Sequence, residues 1–495
     1  MGKTRRDPLK EFLLDVEEED VTSVKLKHIQ AKNQYKPLVI TLSLLILTSC
    51  VLYLLITKNT PGDSITKIIV KTSPKKSDYF IRPVGTQDLR CDWVMDGKHD
   101  QYVKQLAGKR YRIEDPDSLD DLPMDCQSIK ARHHFPDQPS SPFEADFPYA
   151  VARNVYKDYY YLELVLAATY QPQNCYCYAI DRSADHLFRA RLKALAKCLP
   201  NVIVATEYRD MDSAGHRMDL AHIDCLNVLR NGTMKWKYVQ LLQNHDFPAK
   251  TNYKMVAVMK WLNGSNDIEM NREPGRVNKK LNWTLSNMEI FKNSSKLDQI
   301  LKTWTAPTPP SITFAKGYNE VTISREAIDY IFTELNLTKL FSQIDNDKTY
   351  GIDEIGFTTI LSMELLGIPG HFSQHCINQG KSTSFITRYS NWLNQEKCKS
   401  HHFRHAICIH GVEDLLPIVD NIKELYVNKV MPDFDFNAVT CWLEVLYNRT
   451  YLEERTVKRL DQKHYQGLAH VRYQALKDEN GQVPAEKLAN FSCTA

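Results

Sequence analysis

"CYCYAIDRSADHLFRARLKALAKCLPNVIVA", Cys175 to Ala205, sets a short apolar run, an amphipathic stretch and a second apolar run in direct succession. Cys175–Ile180 carries no charge and reads as a buried strand that stops at Asp181. Leu187, Phe188, Leu192, Leu195 and Leu199 then recur at helical spacing, and Ser183 is the expected N-cap. Val202–Ala205 reads as the next strand. A strand, a helix and a strand joined by so little chain imply a crossover unit with its strands parallel.

The alternation continues outward. Ala214–Leu229 reads as a helix and Tyr238–Leu242 as a third strand, ending in "NHDFP". Thr251 is expected to cap a further helix with Met255, Val256, Met259 and Leu262 on one face. The fold class is therefore α/β with a mostly parallel sheet. Ligands of such sheets sit outside the carboxyl ends of the strands, which puts Asp181 and Asp246 at the functional edge. Position alone gives neither a role.

The chain has 495 residues, 43% hydrophobic and 25% charged, with a net charge of +3. That balance lacks the basic excess of a nucleic-acid binder. Leu38–Ile56 is free of charge, and at 1.5 Å per residue its 19 positions span roughly 28 Å, about the thickness of a bilayer's hydrocarbon. It is too long, and too far from the N-terminus, for the apolar region of a cleaved signal. Lys25, Lys27, Lys32 and Lys36 precede it with no acid among them, which predicts a cytosolic N-terminus and a lumenal remainder. The seven N-x-Ser/Thr sequons, at Asn231, Asn263, Asn282, Asn293, Asn336, Asn448 and Asn490, all follow the span, as do eleven of the twelve cysteines. The expected divisions are a cytosolic tail (1–37), a signal anchor (38–56), a stem and disulfide-pinned region (57–146), a transferase domain (147–442) and a C-terminal extension (443–495).

Neither a dinucleotide fingerprint nor a Walker A loop occurs. Asp-x-Asp pairs such as Asp210/Asp212, Asp345/Asp347 and Asp433/Asp435 could hold a divalent ion on a diphosphate. None directly follows a convincing core strand. "YGIDEIG", Tyr350–Gly356, fails as a calcium loop, because counting from Asp345 its sixth position is Tyr350 and its twelfth is Gly356. In "CKSHHFRHAICIH", Cys398–His410, a Cys398–Cys408 disulfide suits an oxidising lumen better than zinc, whose four-ligand spacing is missing.

Six segments occur in order: "QPQNCYCYAIDRSA", "AKCLPNVIVA", "LLQNHDFPAKTN", "DEIGFTTI…GIPG", "HFRHAICIHGVEDL" and "LYVNKVMPDFDFNAVTCW". Together they resemble the core-2/I-branching β-1,6-N-acetylglucosaminyltransferase family over nearly all of Phe147–Trp442. The resemblance implies a Golgi type II enzyme with a GT-A-like domain that inverts the transferred sugar, uses a UDP-sugar donor and a glycan acceptor, and needs no metal or other cofactor. It places Glu354 on the general base, Asp181 on a nucleotide contact, Arg404 and Lys429 on the donor's diphosphate, and Glu269 on the acceptor. It also implies the disulfides Cys91–Cys441, Cys126–Cys198, Cys177–Cys225 and Cys398–Cys408, leaving Cys175, Cys376 and Cys493 unassigned. Asp353 reads as a capping acid for the helix that follows.

This chain departs from the pattern on the acceptor side. Asn271 replaces a second acceptor glutamate, Arg388 stands where the family has a tryptophan, and one residue is inserted between Arg404 and Cys408. Those departures leave two alternatives: a catalytically silent glycan-binding paralogue, or transfer of glucose or xylose on the same scaffold.

Overall fold

A computed structural model describes residues 65–68, 80–346, 348–395 and 397–494, all within one compact unit, Asp63–Ala495. The cytosolic tail, the signal anchor and part of the stem lie outside the described residues. Among those described, no helix is long and apolar enough to cross a membrane.

The central sheet is built from β1 (Ala150–Val155), β2 (Cys175–Ile180), β3 (Val202–Val204), β4 (Tyr238–Gln243) and β6 (Thr322–Ser324), in the order β6-β4-β1-β2-β3. β1 pairs in parallel with β2 and β4, and β2 in parallel with β3, whereas β6 joins β4 antiparallel. The fold is thus mixed α/β with a mostly parallel sheet. A second sheet holds β5 (Phe247–Pro248), β7 (Arg388–Ser390) and β8 (Tyr426–Asn428), with β8 in the middle.

Every residue of β1 and β2 is buried, and β2 accordingly reads as an uninterrupted apolar run, whereas β1 carries the buried polar residues Arg153 and Asn154. The strand period of two divides them between two cores. Tyr176, Tyr178 and Ile180 enter one, with Val151 and Val155, while Cys175, Cys177 and Ala179 enter the other, with Ala150 and Ala152. The small residues lie on the face where α3 (Met218–Asn231) packs, and Cys177–Cys225 bonds β2 to it.

The helix α1 (Tyr159–Thr169) follows β1, and α2 (His186–Cys198) follows β2. The cap of α2 is Asp185, which accepts from the Leu187 and Phe188 amides, rather than Ser183. Ser183 is engaged elsewhere, its amide and hydroxyl both turned to Asp181. The helix expected from Ala214 begins at Met218, because Asp212 holds Ala214 and His216 in a preceding turn. Thr251 caps α4 (Asn252–Trp261) by accepting from the Lys254 amide, and the stripe Met255, Val256, Met259 and Leu262 is buried.

Segments on either side of this alternation share its cores. Leu89, Val94, Leu122 and Ile129, from short helices and loops before β1, join the same core as α1. Near the C-terminus, Tyr465 and Leu468 join that core, while Tyr473 and Phe491 join the other. Among the described residues five disulfides are formed: Cys91–Cys441, Cys126–Cys198, Cys177–Cys225, Cys398–Cys408 and Cys376–Cys493. The last one joins two cysteines that family resemblance leaves unassigned. Cys175 is a free, buried thiol beside Met234.

Candidate active site

The carboxyl ends of β1, β2 and β4 converge as parallel topology requires, and each carries a polar cluster. Asp181, after β2, is buried, with one oxygen facing Ser183 and the other accepting from the Met211 amide at 2.7 Å. It also bridges Arg209 in parallel, so the chain leaving β3 runs alongside it to Asp210 and Asp212. That Asp-x-Asp pair therefore follows the sheet edge more closely than the sequence suggests. Its carboxylates are nevertheless engaged, Asp210 with Arg182 at 2.9 Å and Asp212 with His216 at 2.6 Å. Asp345 pairs with Arg217, while Asp347 lies outside the described residues. Asp433 pairs with Lys157, and Asp435 with Arg110. The sulfurs of Cys398 and Cys408 are joined to each other, which removes both as zinc ligands.

After β4, Asp246 is fully buried. It accepts from the Gln243 amide at 2.6 Å and from Asn428 Nδ2 at 2.9 Å, which fixes the end of β4 against the end of β8. Lys429 follows β8 and donates to the Arg404 carbonyl at 3.1 Å. Arg404 lies on a two-residue hairpin, Phe403–Arg404 against Ile407–Cys408, whose turn residues His405 and Ala406 both have positive φ. Its guanidinium reaches Tyr156 Oη, just past β1, at 3.4 Å. The two expected diphosphate cations are thus neighbours at the carboxyl edge of the sheet. Burial, with Arg388 and Arg404 close by, pushes the Lys429 ammonium down to about 8.

Glu354 ends a single 3₁₀ turn, Ile352–Glu354, ahead of α5 (Gly356–Ser362). Its carboxylate is partly exposed and lies between two cations, Arg276 at 2.5 Å and Lys316 at 3.3 Å. Lys316 also stands 3.8 Å from Glu269, because a two-strand ladder pairs Asn271 with Lys316 and Arg272 with Ala315. Glu269 Oε2 is buried without a hydrogen-bond donor. Burial raises the Glu269 carboxyl above the ordinary range, and the Glu354 charge adds to that, against the pull of Lys316. The structure therefore gathers Glu354 and Glu269 around one ammonium.

One expectation about a neighbouring residue changes. Asp353 makes no capping bond. It is buried against the Gly215 turn, where a Cβ on Gly215 would fall 1.9 Å from its Oδ1. Burial and the adjacent Glu354 charge raise its carboxyl to about 7. Arg388, standing where the family has a tryptophan, is buried, its guanidinium 2.5 Å from Glu320 and 3.6 Å from Asp246, and 4.7 Å over the ring of Tyr318. The aromatic wall near Lys316 is formed instead by Tyr318, stacked on Phe385, and by Trp392, whose indole donates to Tyr318 Oη at 2.7 Å.

Sequence reading missed Arg276, Lys316, Tyr318 and Trp392. Arg276 sits in a charge-rich loop that looks solvated, and Lys316 stands alone in "TFAKGYN". Long-range contacts bring them to Glu354, the Gly317 amide donating to the Glu354 carbonyl at 2.9 Å and Arg276 to the Gly351 carbonyl at 2.7 Å, and no local pattern encodes either. Of the sequon asparagines, Asn231, Asn263, Asn282, Asn293 and Asn490 are exposed, and Asn336 and Asn448 are half-buried.

Comparison with known proteins matches residues 150–419 to the family model for the core-2/I-branching enzyme. The chain belongs to the core-2/I-branching enzyme family, and it is a glycosyltransferase. Among its relatives is a zebrafish (Danio rerio) β-1,3-galactosyl-O-glycosyl-glycoprotein β-1,6-N-acetylglucosaminyltransferase 4, 28% identical over 374 residues, 74% of this chain and 86% of the relative. Enzymes named as type 3 of the same activity are 27% identical in Homo sapiens (74% of this chain, 84% of the relative) and 29% identical in Mus musculus (73% and 83%).

Proposed function

We propose that this chain transfers N-acetylglucosamine from its UDP conjugate, in β-1,6 linkage, to an O-glycan of a glycoprotein, with inversion and without a metal. We further propose that it does so in the Golgi lumen on a GT-A-like domain held by a type II anchor at 38–56. The relatives' activity, the apolar span, the sequons that all follow it and the five disulfides support this reading.

The observation that carries it is the pairing of Glu354 with Glu269 around Lys316, in a site that also holds two adjacent cations, Arg404 and Lys429, at the sheet edge. In the proposed reaction the acceptor hydroxyl gives its proton to Glu354 as its oxygen bonds to the anomeric carbon. The bond from that carbon to the UDP oxygen breaks, and the charge gathering on the diphosphate is met by Arg404 and Lys429. Glu269 accepts from a second acceptor hydroxyl, which would satisfy its orphaned oxygen. Asp181 orients the nucleotide. With the carboxylates of Asp210, Asp212, Asp433 and Asp435 already paired to protein cations, fixed positive side chains suit the leaving group better than a bound ion.

Asn271 and Arg388 at acceptor positions favour a second reading, glycan binding without transfer. Incubating the purified protein with UDP-N-acetylglucosamine, UDP-glucose or UDP-xylose and a core-1 O-glycan decides between them. The expected outcome is UDP release with a β-1,6-linked N-acetylglucosamine product; glycan binding with no release from any donor would reject transfer.

A further inference from the structure

The opposite end of the β5/β8 ribbon carries a second concentration of charge. β5 and β8 pair antiparallel, Phe247 with Val427 and Pro248 with Tyr426. One end of this ribbon presents Asp246 and Lys429. At the other, Lys250 lies four residues beyond Asp246, roughly 13 Å away along extended chain. Here the start of α4, the segment before β8 and the segment after α6 (Phe436–Tyr447) enclose a recess lined by Lys250, Lys254, Lys423, Arg449 and Arg459. It runs through the shared residues Thr251, Lys254, Arg449 and Arg459 into a cavity of about 210 Å³.

The positive charge there is incompletely balanced. Asp420 takes Arg449 at 2.6 Å and Asp461 takes Lys423 at 3.6 Å, and these are the two carboxylates lining the recess. Lys254 and Arg459 make no ion pair among the described residues. Glu144, Glu453 and Glu454 line the adjoining cavity, where Glu144 is held by Ser141 and Asn252. Lys250 is buried, yet its three N–H groups have one hydrogen bond, to the Ile422 carbonyl at 2.7 Å. Burial, with Lys254, Arg449 and Lys423 close by, pushes its ammonium down to about 8 against the pull of Glu424, and Lys254 is lowered by burial and by Arg449 and Arg459 against that of Asp420 and Glu453. Cations crowded this way destabilise one another until an anion neutralises them. The positive end of α4, ten residues long, adds to the field.

We propose that this recess is a binding site for a divalent tetrahedral oxyanion, the phosphate or sulfate group of a small ligand, separate from the donor site. The group sits between Lys254 and Arg459, with the Lys250 ammonium beneath it. Such a site requires no transfer chemistry and stands or falls apart from the proposed function.

The test is thermal unfolding of the purified full-length chain, titrated with inorganic phosphate, inorganic sulfate and 6-sulfated N-acetylglucosamine. The wild type should show a saturable rise in Tm with at least one of them. A stronger response to inorganic phosphate assigns a free anion, and a stronger one to the sulfated sugar assigns a glycan ester. The double substitution Lys254→Gln with Arg459→Gln should weaken that response at least tenfold. Its Tm without anion should equal or exceed that of the wild type, since two repelling cations are gone. Arg404→Ala, or saturating UDP, should leave the response intact. The proposal is overturned if no anion gives a saturable shift. It is equally overturned if Arg404→Ala or UDP abolishes the shift, or if the double variant keeps the full response.

Discussion

The ammonium of Lys316 lies 3.3 Å from the Glu354 carboxylate and 3.8 Å from that of Glu269. One cation thus spans the proposed base and the proposed acceptor carboxylate, and Arg276 closes the other side of Glu354 at 2.5 Å. An acceptor entering between the two glutamates replaces ion-pair contacts with hydroxyl contacts. Glu354→Gln keeps the shape and hydrogen-bonding capacity but cannot take a proton. We expect kcat to fall about 10²–10⁴-fold, the range for a positioned general base. UDP affinity, measured by calorimetry, should hold, because Glu354 makes no contact with Arg404 or Lys429. Unchanged kcat would remove Glu354 from the mechanism.

Asp353 separates local damage from loss of the base. Its carboxyl is raised to about 7, above the ordinary value of about 3.9. Between those values the folded state binds more protons than the unfolded chain, so this group lowers stability as pH rises from about 4 to 7. Asp353→Asn removes the titration. The variant should lose less stability than wild type between pH 5 and 8, a difference on the order of a few kcal/mol by urea unfolding. It should keep most of its activity. A variant whose stability falls with pH as steeply as wild type would show that Asp353 ionises freely.

Much of the scaffold is written in local pattern. β2 is legible because a strand buried on both faces is apolar throughout, and Thr251 because its side chain caps the helix beside it. The donor cations and Glu354 rested on resemblance alone, since a lone Arg, Lys or Glu in a loop looks solvated. Lys316 and Arg276 were invisible for a topological reason: their place beside Glu354 depends on contacts distant in sequence, from the Gly317 amide to the Glu354 carbonyl and from Arg276 to the Gly351 carbonyl. Asp353 was misread for a related one. Its burial comes from Gly215, far away in sequence, and a capping role was inferred from its neighbours only.

Proposed metal independence carries its own signature. Activity should persist in excess EDTA, with initial rates measured against added manganese. Loss on chelation with recovery on manganese would assign the diphosphate to an ion instead of Arg404 and Lys429. Arg404→Ala should weaken UDP binding by about 1.5–3 kcal/mol, roughly 10- to 150-fold.

Lys429 predicts a dependence on pH. Below about 8 its ammonium is charged, and as pH rises through that value the proposed diphosphate site loses one of its two cations. KM for the UDP-sugar should therefore climb between pH 7 and 9. Lys429→Arg, which stays charged throughout this range, should flatten the climb even if its absolute affinity is lower. An equally steep rise in the arginine variant would place the titrating group elsewhere.

Two disulfides should fail in different ways. Cys91–Cys441 closes a separation of 350 residues, while Cys398–Cys408 closes 10. In the loop-entropy model their losses cost about 5–6 and about 3 kcal/mol respectively, as upper figures. Replacing Cys91 and Cys441 by Ser should accordingly depress Tm strongly and leave the kinetics of the surviving folded protein close to wild type. Cys398 and Cys408 instead fix the hairpin that carries Arg404, next to the loop supplying Lys429. Their replacement by Ser should lower Tm less and raise KM for the donor more, because the diphosphate cation is released from its position. Peptide mapping without reductant verifies each pair first. Equal KM changes in the two double variants would mean that the hairpin holds its shape without its disulfide, and that Arg404 is positioned by Tyr156 and the strand pairing instead.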